Sequence, residues 1–235
     1  MHHIHFETTD STQEYLKQNI SDLLAIDRDL IVTTDQQTAG VGRHGTRWSK
    51  YSNSLCFSFT LKPSESLTLT PLELGVLLSE FCQQKFNQKL QLKWPNDLIL
   101  NQKQKCGGIL CHYHSPEVLM IGIGLNLGQC TEKVDESQFK FKSASLLPQS
   151  SFDNTQLQEL SLELFQYFLD NRKSLIEIQE GWNQLCAHHQ QLVEVVDGPQ
   201  KSSGHFVGIG SDGQALIKDP ETGHIKAVIS GSLFY

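Results

Sequence analysis

The stretch Ile121-Gly122-Ile123-Gly124-Leu125-Asn126-Leu127-Gly128 alternates without interruption. Residues two apart share one face of a strand. Ile121, Ile123, Leu125 and Leu127 therefore form an apolar face, and Gly122, Gly124, Asn126 and Gly128 form the other. The first is a core face. The second is bare backbone plus one amide, where a flat ligand or another backbone can lie directly on the sheet. This stretch ends a predicted strand over 117–127. Before it, Lys105-Cys106-Gly107-Gly108-Ile109-Leu110 leads into a predicted strand over 107–114. Paired glycines weaken a strand unless something needs close approach, and Lys105 at the strand's edge is a candidate to neutralise a ligand anion. The alternative is a strand that begins with a bulge.

Further upstream, Lys93-Trp94-Pro95-Asn96-Asp97 joins predicted strands over 90–94 and 97–101. Pro95 fixes the backbone and Trp94 is a large anchor, so Lys93, Asn96 and Asp97 are presented rigidly at a strand end. A cation and a carboxylate so placed suit a phosphate with its magnesium. The alternative is a hairpin turn with exposed charge. A third string, Gln37-Thr38-Ala39-Gly40-Val41-Gly42-Arg43-His44-Gly45-Thr46-Arg47-Trp48, satisfies GxGxxG formally. It lacks the helical apolar spacing and the acid that a dinucleotide fold requires after the third glycine. It reads instead as an anion clamp, with glycines that let N–H groups approach a phosphate and with Arg43 and Arg47 supplying charge. A solvated basic loop is the alternative.

The remaining elements complete an α/β chain. Ser11-Thr12-Gln13-Glu14 has capping-box spacing and opens a helix carrying Leu16, Ile20 and Leu23. Leu30–Thr34 and Ser54–Leu61 read as strands. Thr70-Pro71-Leu72-Glu73 combines a second capping box with Pro at the first helical position, for a helix to about Asn87. Helices follow from Thr155 to about 170 and to Leu185. Short strands at 193–196, 205–209, 215–218, 225–229 and 233–235, separated by Asp197-Gly198-Pro199, Ser211-Asp212-Gly213 and Glu221-Thr222-Gly223, suggest a small β-barrel. The expected division is 1–188 and 189–235.

Composition narrows the function. The 235 residues are 38% hydrophobic and 19% charged, a globular balance, with a net charge of −7. An acidic chain argues against a general nucleic-acid coat. No apolar run is long enough for a membrane helix, and Met1 to Asp10 lacks a signal peptide's apolar core. The six cysteines show no CxxC spacing and read as buried apolar residues of a reducing, cytoplasmic environment. Cys106, Cys111, His112 and His114 cluster in sequence. Strand geometry sends Cys111 and His112 to opposite faces, so no metal ligands are assigned. His2, His3 and His5 are read as part of a mobile terminus.

From about Phe6 to the C-terminus the sequence resembles the biotin protein ligases. Asp10-Ser11-Thr12-Gln13, Gln37 to Trp48, Lys93 to Asp97 and Lys105 to Leu110 carry the resemblance, supported by Gly122 to Asn126. It implies a catalytic domain with a mixed sheet flanked by helices, like the class II aminoacyl-tRNA synthetase-like ligases, and an SH3-like C-terminal barrel. It implies an enzyme that joins biotin to AMP using ATP and magnesium, then passes biotin to a lysine of a biotin carboxyl carrier protein. By the same resemblance Ser11, Thr12, Gln13, Gln37, Gly40, Val41, Gly42, Arg43, Lys105, Gly108 and Leu110 match biotin-binding positions. Arg43, Arg47, Trp48, Lys93, Asn96, Asp97 and Asn126 match positions around ATP. Lys105, Arg43, Lys93 and Asp97 are the expected catalytic residues. The family usually has Asn where this chain has Gln13, and more basic residues where it has Val41, His44 and Thr46. Phe139 and Phe141 are the candidates for stacking on adenine.

Two other readings on the same fold are a lipoate or octanoate ligase and a biotin-binding module without chemistry. The intact Arg43, Lys93, Asp97 and Lys105 argue against the second. A biotin-sensing repressor would need a helical DNA-binding domain ahead of the catalytic part, and ten residues precede Ser11. The expected protein is a monomer or weak homodimer with neither nucleic-acid nor membrane partners. Purified protein should give no sequence-specific, salt-sensitive gel shift, and such a shift would contradict the reading of the charge balance.

Overall fold

The computed structural model describes residues 1–45, 48, 53–129 and 142–235. In chain order the elements are β1 (His2–Thr9), α1 (Thr12–Leu24), β2 (Leu30–Gln37), β3 (Ser54–Leu61), α2 (Thr70–Phe86), β4 (Gln91–Lys93), β5 (Asp97–Leu100), β6 (Gln104–Ser115), β7 (Val118–Asn126), β8 (Lys142–Ser143), α3 (Asn154–Asp170), α4 (Leu175–Leu185), β9 (Leu192–Asp197), β10 (Gln200–Ile209), β11 (Ala215–Lys218), β12 (Ile225–Val228) and β13 (Ser232–Phe234). They divide into two compact units, Met1–Lys62 with Gln104–Asp170 and Pro63–Lys103 with Asn171–Tyr235. None of the described helices is long and apolar enough to cross a membrane.

In the first unit, strands run in the order β1-β2-β3-β7-β6, with β8 parallel to β6. β1 and β2 are parallel and joined through α1, while the β2–β3, β3–β7 and β7–β6 pairs are antiparallel. The sheet is therefore mixed. The alternation read in β7 holds: Ile121, Ile123 and Leu125 are buried, as are Phe57 and Phe59 of β3. Phe59 lies 5.1 Å from Phe165 and 5.6 Å from Phe168, so α3 covers this apolar face. α1 packs Leu16, Ile20 and Leu23 against Leu30, Val32 and Met120.

The N-terminus corrects one expectation. His2–Thr9 is not a loose end but an edge strand paired in register with Leu30–Gln37. His3 Nε2 and His5 Nδ1 lie 2.7 and 2.9 Å from the Thr33 hydroxyl. Ile4 and Phe6, packed beside α1, are the alternating apolar pair that signals the strand.

The second unit contains the β4–β5 hairpin, α2, α4 and an antiparallel sheet in the order β12-β11-β10-β9-β13. This sheet occupies the stretch where the sequence suggests a barrel, and the turn glycines Gly198 and Gly213 have φ of +56° and +74°. Trp182, His188 and Phe206 form its aromatic contact with α4.

The helix starts also differ from expectation. Ser11 accepts from the Glu14 N–H as predicted, whereas the Glu14 carboxylate meets Lys17. Thr70 does not cap α2: Leu69 is the N-cap residue and makes no side-chain cap bond. Glu73 is fully buried and is drawn away to Arg172, which donates Nε and Nη2 to its two oxygens at 2.9 and 2.8 Å. The Lys173 N–H and the Ser64 hydroxyl complete its shell at 2.7 and 2.6 Å. A complete capping box exists instead at Ser174–Glu177, which opens α4.

Burial raises the Glu73 pKa, but the bonds from Arg172, Ser64 and Lys173 outweigh it and hold the carboxyl below its ordinary value. Arg172→Ala leaves that charge buried without its main partner and should destabilise the protein by about 3–5 kcal/mol in urea unfolding. The stabilisation Glu73 contributes is full above the unfolded carboxylate pKa and lost as pH falls through the depressed folded value. The stability gap between wild type and Glu73→Gln should therefore shrink in acid. A gap that widens in acid would contradict this account.

Candidate active site

The site of the first unit starts at the end of β1. The Ser11 cap fixes the first turn of α1, which holds Thr12 and Gln13 buried over the sheet. The Thr12 N–H and hydroxyl both donate to Gln37 Oε1, at 2.8 and 3.2 Å. Thr12 Oγ1 also lies 2.9 Å from Ser58 Oγ. The Thr12 proton goes to Gln37, so Ser58 donates to Thr12, giving a chain Ser58→Thr12→Gln37. Gln37 Oε1 thus takes two donors, and its Nε2 turns toward Gly40, where a methyl group would come within 3.1 Å. Thr38 donates from its hydroxyl to Asp10 Oδ1 at 2.8 Å, and the Ala39 N–H to Asp10 O at 2.9 Å. These bonds join the Asp10–Gln13 string to the glycine loop.

The glycine row of β7 extends across three strands. Gly124 pairs with Cys56 of β3 and Gly108 of β6, and Gly122 with Ser58 and Leu110. The face is not left bare. A Cβ at Gly122 would lie 2.8 Å from Gln13 Oε1, and one at Gly124 would lie 2.7 Å from the Trp48 ring carbons Cε2 and Cζ2. The glycines make room for an amide and an indole, at two positions to which the family resemblance assigns ligand contacts. The Trp48 N–H donates to Gly40 O at 2.9 Å, which closes the loop on itself. Val41 and Gly42 follow Gly40, and Arg43 starts a 3-10 turn through Gly45. Thr46, Arg47, Ser49, Lys50, Phe139 and Phe141 lie outside the described residues.

Lys105 departs from expectation in one respect. It lies inside β6, half-buried, rather than at an exposed strand edge. Its Nζ stands 5.9 Å from the centroid of the Trp48 ring, at the outer range of a cation–π contact. The Asn126 amide is used at both ends, accepting from Ser54 and donating to Ala144 O, each at 3.3 Å. Burial pushes the Cys56 thiol up to about 12, partly opposed by Trp48 and Gln37, so it stays protonated at neutral pH. The described residues contain no group of three or more His, Cys, Asp or Glu placed to hold a metal. The five described cysteines are free thiols.

In the second unit, Lys93 Nζ donates to Asp97 Oδ2 at 2.8 Å, with side chains only 7% and 14% exposed. A nearly buried pair differs from the exposed charge of an ordinary hairpin turn. Trp94 anchors the string as expected, buried, with Nε1 donating to Gly213 O at 2.9 Å. The Trp94–Pro95 peptide is cis, and Asn96 is half-buried.

Sequence reasoning missed Ser58 and His112. Ser58 was legible: Ser54, Cys56, Ser58 and Thr60 form the polar face of β3 opposite Leu55, Phe57, Phe59 and Leu61. His112 was set aside with the metal cluster, yet its Nδ1 lies 3.0 Å from Gln13 Nε2.

Two oriented amides over a glycine floor, with Lys105 and Trp48 beside them, give this α/β unit a site whose chemistry suits a small, flat, hydrogen-bonding molecule carrying an anion. The chain belongs to the biotin/lipoate A/B protein ligase family, whose model matches residues 5–127. The bifunctional ligase/repressor BirA of Escherichia coli is 27% identical over 239 residues, 95% of this chain and 71% of the relative. Biotin–protein ligase 1, chloroplastic, of Arabidopsis thaliana is 26% identical over 90% of this chain and 63% of its own length. The solved biotin protein ligase from Aquifex aeolicus in complex with biotin and ATP superposes with a TM-score of 0.78 at 29% identity, covering 99% of this chain and 98% of that one.

Gly124→Ala should drive the Trp48 indole off the sheet, because a methyl group cannot share space with ring carbons at 2.7 Å. Trp94 and Trp182 stay buried, so a red shift of tryptophan emission would report Trp48 alone. Unchanged emission would show that Trp48 does not rest on Gly124.

Proposed function

We propose that this protein is an ATP-dependent biotin protein ligase, which forms biotinyl-5'-AMP and transfers biotin to a lysine of a biotin carboxyl carrier protein domain. The observation that carries the reading is the pair of oriented amides, Gln13 and Gln37, over Gly122 and Gly40. Biotin's ring urea offers N–H donors and a carbonyl acceptor to such a pair. The dithiolane of lipoate and the chain of octanoate offer neither and would leave buried polar atoms unpaired. Family membership and the two ligand-bearing features of the Aquifex aeolicus relative, biotin and ATP, support the same reading.

In the first step a biotin carboxylate oxygen attacks the α-phosphorus of ATP. The bond from that phosphorus to the bridging oxygen breaks and pyrophosphate leaves. Both reactants are anions, so positive charge must offset their repulsion and the charge that builds on the phosphoryl oxygens. We assign Lys105 and Arg43 to the carboxylate and the anhydride. Lys93, Asn96 and Asp97 we assign to the nucleotide phosphates on their motif, with Arg47, Trp48 and Asn126 around the nucleotide. Ser11, Thr12, Val41, Gly42, Gly108 and Leu110 complete the biotin pocket. Magnesium, entering with ATP, would add charge neutralisation at the phosphates, and the Asp97 carboxylate has the oxygen chemistry to meet it. In the second step a neutral lysine amine attacks the acyl carbon, AMP departs with the carboxyl oxygen, and the amine loses a proton. Asp97 is our candidate to orient that amine. We place the reaction in the cytoplasm, in keeping with the free thiols, and assign 1–188 to catalysis and 189–235 to an SH3-like accessory domain.

Biotin-dependent exchange of pyrophosphate into ATP, with lipoate and octanoate as controls, tests the reading. Exchange with biotin alone supports it, and exchange with lipoate alone would transfer the protein to the sister activity. Lys105→Ala should cut adenylation by at least about 10²-fold, because a charge-assisted bond of roughly 1.5–3 kcal/mol is lost and charge develops beside it. Lys105→Arg should rescue it only in part, since a planar fork is not a point charge. Near-normal exchange by Lys105→Ala would remove Lys105 from the site.

A further inference from the structure

Gln13 is 3% exposed, and its amide is almost entirely decided by what surrounds it. Nε2 lies 3.1 Å from Met120 O, a backbone carbonyl that only accepts. That contact identifies this end of the amide as the NH₂ group. The same Nε2 lies 3.0 Å from His112 Nδ1. With both Nε2 protons spent, Nδ1 must offer a lone pair, and the neutral ring carries its proton on its own Nε2. The surroundings suit the neutral form: burial holds the His112 pKa below its ordinary value, Lys17 pushes the same way, and Glu14 opposes. Oε1 is then left buried with no hydrogen-bond partner among the described residues, above the Cα of Gly122. An orphaned buried acceptor is costly unless a ligand satisfies it.

We propose that His112 is a positioning residue for biotin recognition, which acts through Gln13 by holding its amide so that Oε1 faces a ring N–H of biotin. This rests on the reading of the site as a biotin site. If the amide turned over, Oε1 would face Met120 O, which can only accept, and His112 could answer it only by moving its ring proton to Nδ1. Met120 O thus sets the orientation, His112 in its Nε2–H form adds the second bond that holds it, and His112 is the partner that a side-chain substitution can remove. His112 touches Gln13 rather than the ligand, so it should govern which hydrogen-bonding ring is accepted and leave the chemistry of the phosphate alone. The design favours a ligand with a ring donor and disfavours one with only acceptors or apolar atoms there.

Three proteins test this: wild type, His112→Leu, which removes the acceptor, and His112→Asn, whose Oδ1 restores an acceptor close to the place of Nδ1. Biotin dissociation constants come from calorimetry, and KM for biotin and kcat from pyrophosphate exchange. His112→Leu should bind biotin about 10-fold more weakly, with the loss in KM rather than kcat, and His112→Asn should stay within about threefold of wild type. Biotin methylated on one or the other ring nitrogen supplies a probe that needs no folded variant. At the nitrogen facing Gln13, methylation should cost wild type at least about 10-fold and His112→Leu clearly less. Equal binding by wild type and His112→Leu would overturn the proposal, as would equal losses in Leu and Asn, the sign of a packing role. Failure of wild type itself to bind biotin would overturn the reading of the site and this inference together.

Discussion

Two missing β-carbons organise the first unit. Gly122 and Gly124 sit on the polar side of β7, and an alanine at either would intrude to 2.8 Å or less on Gln13 or Trp48. Because those positions are empty, the first turn of α1 and the loop residue Trp48 settle directly on the sheet, and the amide of Gln13 is buried against it. The other side of the same strand has the opposite duty. Ile121, Ile123 and Leu125 belong to a core that continues through Phe57 and Phe59 to α3. One alternating stretch thus fixes which side of the sheet is closed by hydrophobic packing and which is reserved for recognition.

Charge is handled differently in structural and candidate functional places. Glu73 is fully buried and collects two bonds from Arg172, one from Lys173 and one from Ser64, so its lone pairs are consumed within the protein. That arrangement secures α2 to the chain ahead of α4. Lys93 and Asp97 are also nearly buried and pair at 2.8 Å, on a string anchored by Trp94. Lys105 lies against the face of Trp48 at a distance where attraction is weak. Adenylation joins two anions, so it needs cations of this kind near the reacting atoms.

Much of this was legible in the sequence. The strand alternation at Ile121–Leu125, the Ser11 cap, the Trp94 anchor and the turn glycines of the last five strands all express local rules, and the structure follows them, whereas Leu127 and Gly128 lie past the end of β7. Failures occur where a distant residue decides. Thr70 and Glu73 have capping-box spacing, yet Glu73 is claimed by Arg172, 99 residues away. The bare face of β7 was read correctly as backbone, but its occupants, Gln13 and Trp48, come from elements far along the chain, and no periodicity could nominate them. His112 illustrates the same limit: its role depends on Gln13, also 99 residues away, and within its own strand it looks like one histidine of a cluster.

The claim on which the account turns is that space above Gly122 exists so that the Gln13 amide can be presented to biotin. Calorimetric titration of biotin into Gly122→Ala measures this most directly, with thermal unfolding as the control for folding. The account predicts a protein that still unfolds cooperatively, with melting lowered by several degrees at most, and binds biotin at least about 100-fold more weakly because the methyl group displaces Oε1. A folded Gly122→Ala protein that binds biotin with wild-type affinity would contradict it.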